Sequence, residues 1–566
     1  MRFALLNLTS AAVEKTVFSM VALASFALLS SCSAVEGVGN KEDAERPNFL
    51  VIVVDDLGYS DLSLTGSEVP TPNIDALAKE GLFLNNFYAG GTCSPTRAML
   101  LSGMDHHRAG VGAMMEHIAP NQVGSPGYEG YLNERVVSLP ELLRDAGYNT
   151  YAAGKWHLGM TDETSPAKRG FERSFMLLNG GASHFDQSGL LAIADPAPYR
   201  EDGKKVNLPD DFKYSTDFYT SRMIEYIEQD RAGGDPFFAY LAYTAPHWPL
   251  QAPDENIAKF RGVYDDGWEA IQQKRLDRQI ADGLMPPDTV LPPIFTDAPA
   301  WSELTQEERQ VEARKMEIYA GMVDRLDEEI GRIIAYLKDT DQYESTVIVF
   351  MSDNGAEGAP LHKTPPFRDW MKTFDNSLEN MGRQGSYVYY EERWAQVGMT
   401  PFRLWKGMAS EGGVHVPAFV TFAGAKRQGE RNSSLTSVMD IMPTLLDYAG
   451  VTHPGKQYSG KDIHPMQGLS WMPLLNGEAQ MVRDSDEGLG SELFDKFGYR
   501  LGRWKALHLH DPYGPGRWQL YDLSKDPGET NDLAEEHPDI LVDLVKRWEQ
   551  YAKENGVVLS SRPPER

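Results

Sequence analysis

The sequence predicts an α/β fold: a doubly wound, mixed but mostly parallel sheet flanked by helices, with a small α+β domain at the carboxyl end. Three observations carry this reading. Residues 48–54, 236–243 and 346–351 are continuous apolar runs rich in β-branched and aromatic side chains, the pattern of strands buried on both faces. Helical patterns lie between them; Tyr319, Met322, Leu326, Ile330, Ile333 and Leu337 keep the three–four spacing of one buried face. Helices between buried strands imply a wound sheet. At 566 residues the chain is also too long for one hydrophobic core.

The amino end is read as processed rather than folded. Arg2 and Lys15 precede an apolar run, 17–29, too short for a comfortable membrane span and suited to a secretory signal. Leu29-Ser30-Ser31-Cys32 resembles a bacterial lipobox, in which the Cys becomes the lipidated first residue. The expected organisation is a signal peptide with lipobox at 1–32, a flexible tether at 33–46, a main domain at 47–480 and an α+β domain at 481–566. The expected location is the bacterial periplasm or outer membrane, as an exported lipoprotein with a lipid anchor at Cys32. Net charge is −28, a surface that repels nucleic acid and acidic membranes, so neither is an expected partner. With Cys32 at the processed end, Cys93 is the one cysteine left for chemistry.

The main domain begins at the 48–54 strand, which ends in Asp55-Asp56-Leu57-Gly58. Two carboxylates at the carboxyl edge of a buried strand are costly without a cation or partners, and open α/β sheets place ligands at that edge. A short helix from Pro72 and a strand at 82–88 follow. Next comes Cys93-Ser94-Pro95-Thr96-Arg97, a helix start: Pro95 suits the first turn, and Ala98 to Leu101 continue as good helix formers. Cys93 at the tip meets unpaired N–H groups and the positive end of the helix dipole, and Arg97 stacks one turn on.

A helix at 139–146 stops at Gly147, and a strand at 149–153 leads into Gly154-Lys155-Trp156-His157-Leu158-Gly159. On an extended segment Lys155 and His157 face one side and Trp156 the other, into the core. The 236–243 strand ends in Ala245-Pro246-His247-Trp248-Pro249, with prolines stiffening the loop. Residues 250–300, rich in charge and proline, read as a surface connection, and 302–337 as one long helix. The 346–351 strand ends in Ser352-Asp353-Asn354-Gly355; a strand at 416–422 and a helix at 437–448 follow. Antiparallel strands at 492–508 and 518–523 and a helix at 533–553 close the chain.

Cys-x-Pro-x-Arg followed by Ser102-Gly103 resembles the signature of the type I sulfatases, and Met104-Asp105-His106-His107 resembles the bacterial arylsulfatase subgroup. Gly-Lys-Trp-His-Leu-Gly resembles the second signature of that family, and Ala-Pro-His-Trp-Pro a further motif. The resemblance implies an alkaline-phosphatase-like fold and a catalytic domain at 47–480. It implies that a maturation enzyme oxidises Cys93 to formylglycine, an aldehyde whose hydrate is the nucleophile. It also implies one divalent ion, Ca²⁺ rather than Mg²⁺, held by Asp55, Asp56, Asp353, Asn354 and residue 93; these are the hard oxygen ligands such ions take. Arg97, Lys155 and Lys406 then offset the charge on the sulfate oxygens. His157 assists the aldehyde hydrate, and His247, with Lys406, helps the leaving oxygen depart. His106 and His107 are read as structural.

The expected substrate is an aryl or small alkyl sulfate, with Phe367, Trp370, Phe374, Tyr387, Tyr389, Tyr390 and Trp394 as candidates for an apolar pocket. The alternatives are a carbohydrate sulfatase, a phosphonate monoester or phosphodiester hydrolase on the same fold, and a non-catalytic lipoprotein that binds sulfated glycans.

Overall fold

Ten strands make the main sheet: β1 (Asn48–Val54), β2 (Leu82–Tyr88), β3 (Asn149–Lys155), β4 (Arg173–Leu177), β5 (Tyr199–Glu201), β6 (Lys204–Val206), β7 (Phe237–Ala242), β8 (Thr346–Ser352), β9 (Ala418–Thr421) and β10 (Glu430–Ser437). Their spatial order is β10-β2-β9-β8-β1-β7-β3-β4-β5-β6. The pairs β8/β1, β1/β7, β7/β3, β3/β4 and β10/β2 are parallel, whereas β2/β9, β9/β8, β4/β5 and β5/β6 are antiparallel. The sheet is therefore mixed and mostly parallel. This computed structural model describes residues 46–295, 299–422 and 426–561. The signal peptide with its lipobox at Cys32, and the tether as far as residue 45, lie outside the described residues. Among the described residues no helix is long and apolar enough to cross a membrane.

The period-two alternation of β1 divides its side chains between two cores. Leu50, Ile52 and Val54 join one apolar cluster, and Phe49, Val51 and Val53 the other. The long helix Gln306–Asp339 covers the first face, and Tyr319, Met322, Leu326, Ile330, Ile333 and Leu337 are all buried there. Thr305 caps it, accepting from Glu308 N while its own N–H donates to Glu308 Oε2, so it starts later than residue 302. The helix Cys93–Ser102 is buried along its whole length against the second face, where Ala98, Leu100 and Leu101 pack.

At the carboxyl end, strands Leu489–Leu493, Lys496–Leu501, Trp504–His508 and Trp518–Asp522 form an antiparallel meander. The helix Pro538–Asn555 packs on it through Leu544.

Two readings of the sequence need correction. Residues 250–300 are not just a connection: they hold the helices Asp254–Ala258 and Trp268–Ala281. The second places Arg275, a fully buried guanidinium, on Asp61 Oδ1 at 2.6 Å and Glu68 Oε1 at 2.7 Å. The charge of Arg275 is thus paired inside the protein, while most of its charged neighbours in this stretch stay exposed. The polar strand β10 was not expected at all; it lies at the end of the sheet, paired to β2.

Candidate active site

The register of the sheet assembles the site. Val54 of β1 pairs with Ser352 of β8, so Asp55-Asp56 and Asp353-Asn354 leave the sheet side by side. Val53 pairs with Ala242 of β7, and Ala242 with Gly154 of β3, which brings the His247 loop and Lys155 to the same edge. Gly154 is required here: a Cβ at that position would lie 1.7 Å from the Ala242 carbonyl oxygen. Asp56 and His157 both hold left-handed backbone conformations, φ 64° and 56°. Such strain at non-glycine residues persists where the surrounding structure enforces it.

Three carboxylates and three cations interlock at this edge, all buried. Lys155 Nζ donates to both oxygens of Asp55, at 2.9 and 2.7 Å. Arg97 donates from Nε and Nη2 to Asp353 Oδ2, at 3.0 and 2.7 Å, and from Nη1 to the Lys155 carbonyl. Lys406 Nζ donates to both oxygens of Asp56, at 2.8 and 3.0 Å. Asn354 Nδ2 donates to Asp56 Oδ1 at 2.6 Å, and the Asp56 N–H donates to Asp353 Oδ1 at 3.3 Å. Cys93 Sγ stands 4.0 Å from Asp56 Oδ1. The formal charges of the six ionic groups cancel.

Burial shapes how these groups titrate. It would raise Asp56, but Lys406, His247 and Lys155 outweigh it and hold the carboxyl below its ordinary value. Asp353 is pushed up by burial and by the neighbouring Asp55 charge, which Arg97 only partly offsets. Lys406 stays well above the usual lysine value despite burial, because Asp56 holds it charged. Burial pushes the Cys93 thiol well up, and the nearby lysines do not reverse this. As encoded, Cys93 is thus a neutral thiol and a poor nucleophile at neutral pH.

The two histidines meet the site differently from the strand-alternation argument. His247 Nε2 is 3.5 Å from Asp56 Oδ2, and its Nδ1 shares a 2.5 Å hydrogen bond with the Trp248 carbonyl. Burial lowers it to about 3, with Lys406 and Lys155 adding and Asp56 opposing, so it rests neutral. His157 does not follow Lys155 along an extended segment, because its left-handed backbone turns the chain. Its Nε2 instead lies 3.2 Å from Glu116 Oε1, while its Nδ1 is buried without a partner. One loop brings the histidines together: a Cβ on Gly180 would stand 3.1 Å from His157 Cε1, and one on Gly181 3.3 Å from His247 Cε1. Trp156 is fully buried in the core, as expected.

The residues fit the metal ion and the modified residue 93 that the resemblance implies. One ligand atom each from Asp55, Asp56, Cys93 and Asp353 lie within 4.8 Å of one another. Asn354 Oδ1 beside them is buried and has no hydrogen-bond partner. The oxygens of Asp55, Asp56, Asp353 and Asn354 are a set that a hard dication uses. Thr92 Oγ1 and Ser94 Oγ, on either side of residue 93, are likewise buried without partners. That leaves hydrogen-bonding capacity for a group more polar than a thiol at position 93.

A second His/Asp group, Asp105-His106-His107, is satisfied by protein contacts. His107 lies between Asp105 Oδ1 at 2.8 Å and Glu492 Oε2 at 2.9 Å, and His106 Nδ1 meets the Val111 carbonyl at 2.8 Å. These contacts are structural, tying the Cys93 helix to the carboxyl-terminal meander.

A narrow cleft opens beside Asp56, lined by Pro246, His247, Trp248, Leu250, Glu357, Tyr389 and Tyr390. Trp248, Tyr387 and Tyr389 form an aromatic cluster there, with Phe367, Trp370 and Phe374 packed against it. Trp394 is not part of it: that ring packs on Tyr264, Trp268 and Trp301 in the core. The sequence reading had not singled out Glu116, Gly180, Gly181 or Glu357. Glu357 carried a signal, lying three residues after Asn354 in an otherwise small-residue loop.

Known proteins resemble this chain over most of its length. The family model described as Sulfatase matches residues 47–451. One described as N-sulphoglucosamine sulphohydrolase, C-terminal, matches residues 404–554. An uncharacterized sulfatase of Schizosaccharomyces pombe is 44% identical over 532 residues, covering 92% of this chain and 96% of its own. An arylsulfatase of Klebsiella aerogenes is 40% identical over 440 residues, covering 77% and 93%. The crystal structure of Ps i-CgsB superposes with a TM-score of 0.65 at 25% identity, covering 91% of this chain and 95% of that one.

Proposed function

Given that the chain belongs to the sulfatase family and is a sulfuric ester hydrolase, we propose that its substrates are aryl or small alkyl sulfates. The observation that supports this most is the aromatic cluster around Trp248, whose ring stacks on His247 in the cleft beside Asp56. Flat apolar leaving groups gain from such a wall by offset or edge-on ring contacts. The 40% identity to an arylsulfatase points the same way.

We take Cys93 to act as formylglycine and Asp55, Asp56, Asp353, Asn354 and residue 93 to hold one calcium ion. When present, the aldehyde hydrate supplies a hydroxyl nucleophile, and the dication draws negative charge from the ester oxygens. The six ionic groups cancel among themselves, so a dication gives the edge the net positive charge an anionic ester needs. Arg97 and Lys155 orient the acidic groups and present cationic N–H donors to the sulfate oxygens. Lys406, held charged by Asp56, shares that carboxylate with His247, and the two are taken to serve the leaving oxygen together. His247 rests neutral; the negative ester favours its protonated form, which then donates to the departing oxygen. We assign to His157, whose Nδ1 is buried without a partner, the role of accepting a proton from the hydroxyl group at position 93.

Purified enzyme is tested on p-nitrophenyl sulfate, a phenyl phosphonate monoester and a sugar 6-sulfate under matched conditions. The account expects the highest kcat/KM on the aryl sulfate. A clear preference for the sugar ester would move the assignment to a carbohydrate sulfatase, and one for the phosphonate to that hydrolase class. Export and a lipid anchor at Cys32 remain part of the proposal; membrane fractionation of a Cys32→Ala variant in its host tests them.

A further inference from the structure

Glu357 is a fourth carboxylate at a site whose other ionic groups already cancel. Its Oε1 accepts the Ala359 N–H at 2.7 Å, and its Oε2 lies 3.2 Å from Lys406 Nζ. Its side chain is 12% exposed and lines the cleft with Asp56, His247 and Trp248. Lys406 is already gripped by both oxygens of Asp56, so anchoring that ammonium does not require Glu357. A buried negative group in the wall of an anion site weakens anion binding, and its retention calls for a use.

The reaction supplies one. In ester hydrolysis, ROSO₃⁻ and water become ROH, SO₄²⁻ and H⁺. The S–O bond to the alcohol breaks, and water provides the fourth sulfate oxygen and the alcohol hydrogen. The second water proton leaves to solvent. The anion in the cleft therefore changes from a monoanion to a dianion of nearly the same shape. We propose that Glu357 is a charge filter: it lets the monoanionic ester bind and drives out the dianionic sulfate product, so it selects against dianionic esters and relieves product inhibition. This rests on the sulfatase reading above. Repulsion scales with ligand charge, so removing Glu357 favours the dianion by the square of the factor it gives the monoanion.

Titration calorimetry on calcium-loaded protein tests this with inorganic sulfate and with methanesulfonate, a monoanion of the same tetrahedral head that is not hydrolysed. Glu357→Gln is expected to tighten sulfate by about tenfold and methanesulfonate by about threefold. Glu357→Asp keeps the charge and should leave the ratio of the two Kd values near that of the parent protein. Equal factors for both anions, or weaker sulfate binding in the Gln variant, overturn the inference and leave Glu357 as a prop for Lys406. If the parent protein cleaves aryl sulfate while the ratio is unmoved, only the filter falls. If it cleaves no sulfate ester and binds neither anion, the sulfatase reading falls and takes the filter with it.

Discussion

Lys155→Met is the sharpest probe of the claim that the acidic strand ends form a cation site. The substitution keeps the length of the side chain and removes its charge. Lys155 is fully buried and donates to both oxygens of Asp55; its loss leaves that carboxylate with Arg97 at 3.6 Å as its remaining cation. Breaking a buried ion pair by removing one partner costs about 3–5 kcal/mol. At about 2.1 cal/mol/K of unfolding entropy per residue, a chain this long shifts its Tm by about 1 °C per kcal/mol, so chelated protein should lose about 3–5 °C. A dication bound by Asp55 replaces the missing positive charge. Saturating calcium should therefore recover most of the loss, and the calcium-induced rise in Tm should be larger in the variant than in the parent. Differential scanning calorimetry with EGTA and with calcium reads both. An equal loss in both conditions would refute the reasoning, because Asp55 would then have no part in holding the ion.

Other predictions address the surrounding chemistry. His107 is raised to about 9 by Asp105 and Glu492 acting against burial. A group raised on folding stabilises fully below its unfolded value of about 6.5, and the benefit is lost as pH climbs through about 9; it amounts to about 3 kcal/mol. Urea denaturation at pH 6 and pH 9.5 should show that loss in the parent and not in His107→Gln. Gly180→Ala places a Cβ 3.1 Å from His157 Cε1 and should lower kcat by about tenfold with little change in Tm, since a small misplacement of a catalytic group is enough. Trp248→Ala should cut kcat/KM on p-nitrophenyl sulfate by at least about tenfold, a loss of about 1.4 kcal/mol, with much less effect on a short alkyl sulfate. Equal losses on both would place Trp248 outside the leaving-group contact.

The parts of the site legible in the sequence are those where strands are buried on both faces. β1, β7 and β8 show as apolar runs, and the polar residues just beyond them mark the carboxyl edge without any three-dimensional information. The parallel register then makes adjacency of Asp55 and Asp353 follow from strand order. What was hidden has local causes. β10 is a serine-rich strand at the end of the sheet, half of it unburied, so it carries no apolar signal. The helix holding Arg275 is charged on a face that turns inward, because its partners Asp61 and Glu68 lie over 200 residues away. His157 departs from strand alternation because one left-handed residue ends the extended geometry. Its neighbours Glu116 and Gly180 come from separate loops, whose approach no short motif encodes.

The central claim is that residue 93 works as an aldehyde hydrate and not as the neutral thiol the gene specifies. Mass spectrometry of the peptide carrying residue 93, from enzyme purified from its own host and assayed on aryl sulfate, tests this directly. The account predicts an aldehyde at that position, in a fraction that tracks specific activity across preparations. Fully active enzyme whose residue 93 carries only a thiol would contradict it.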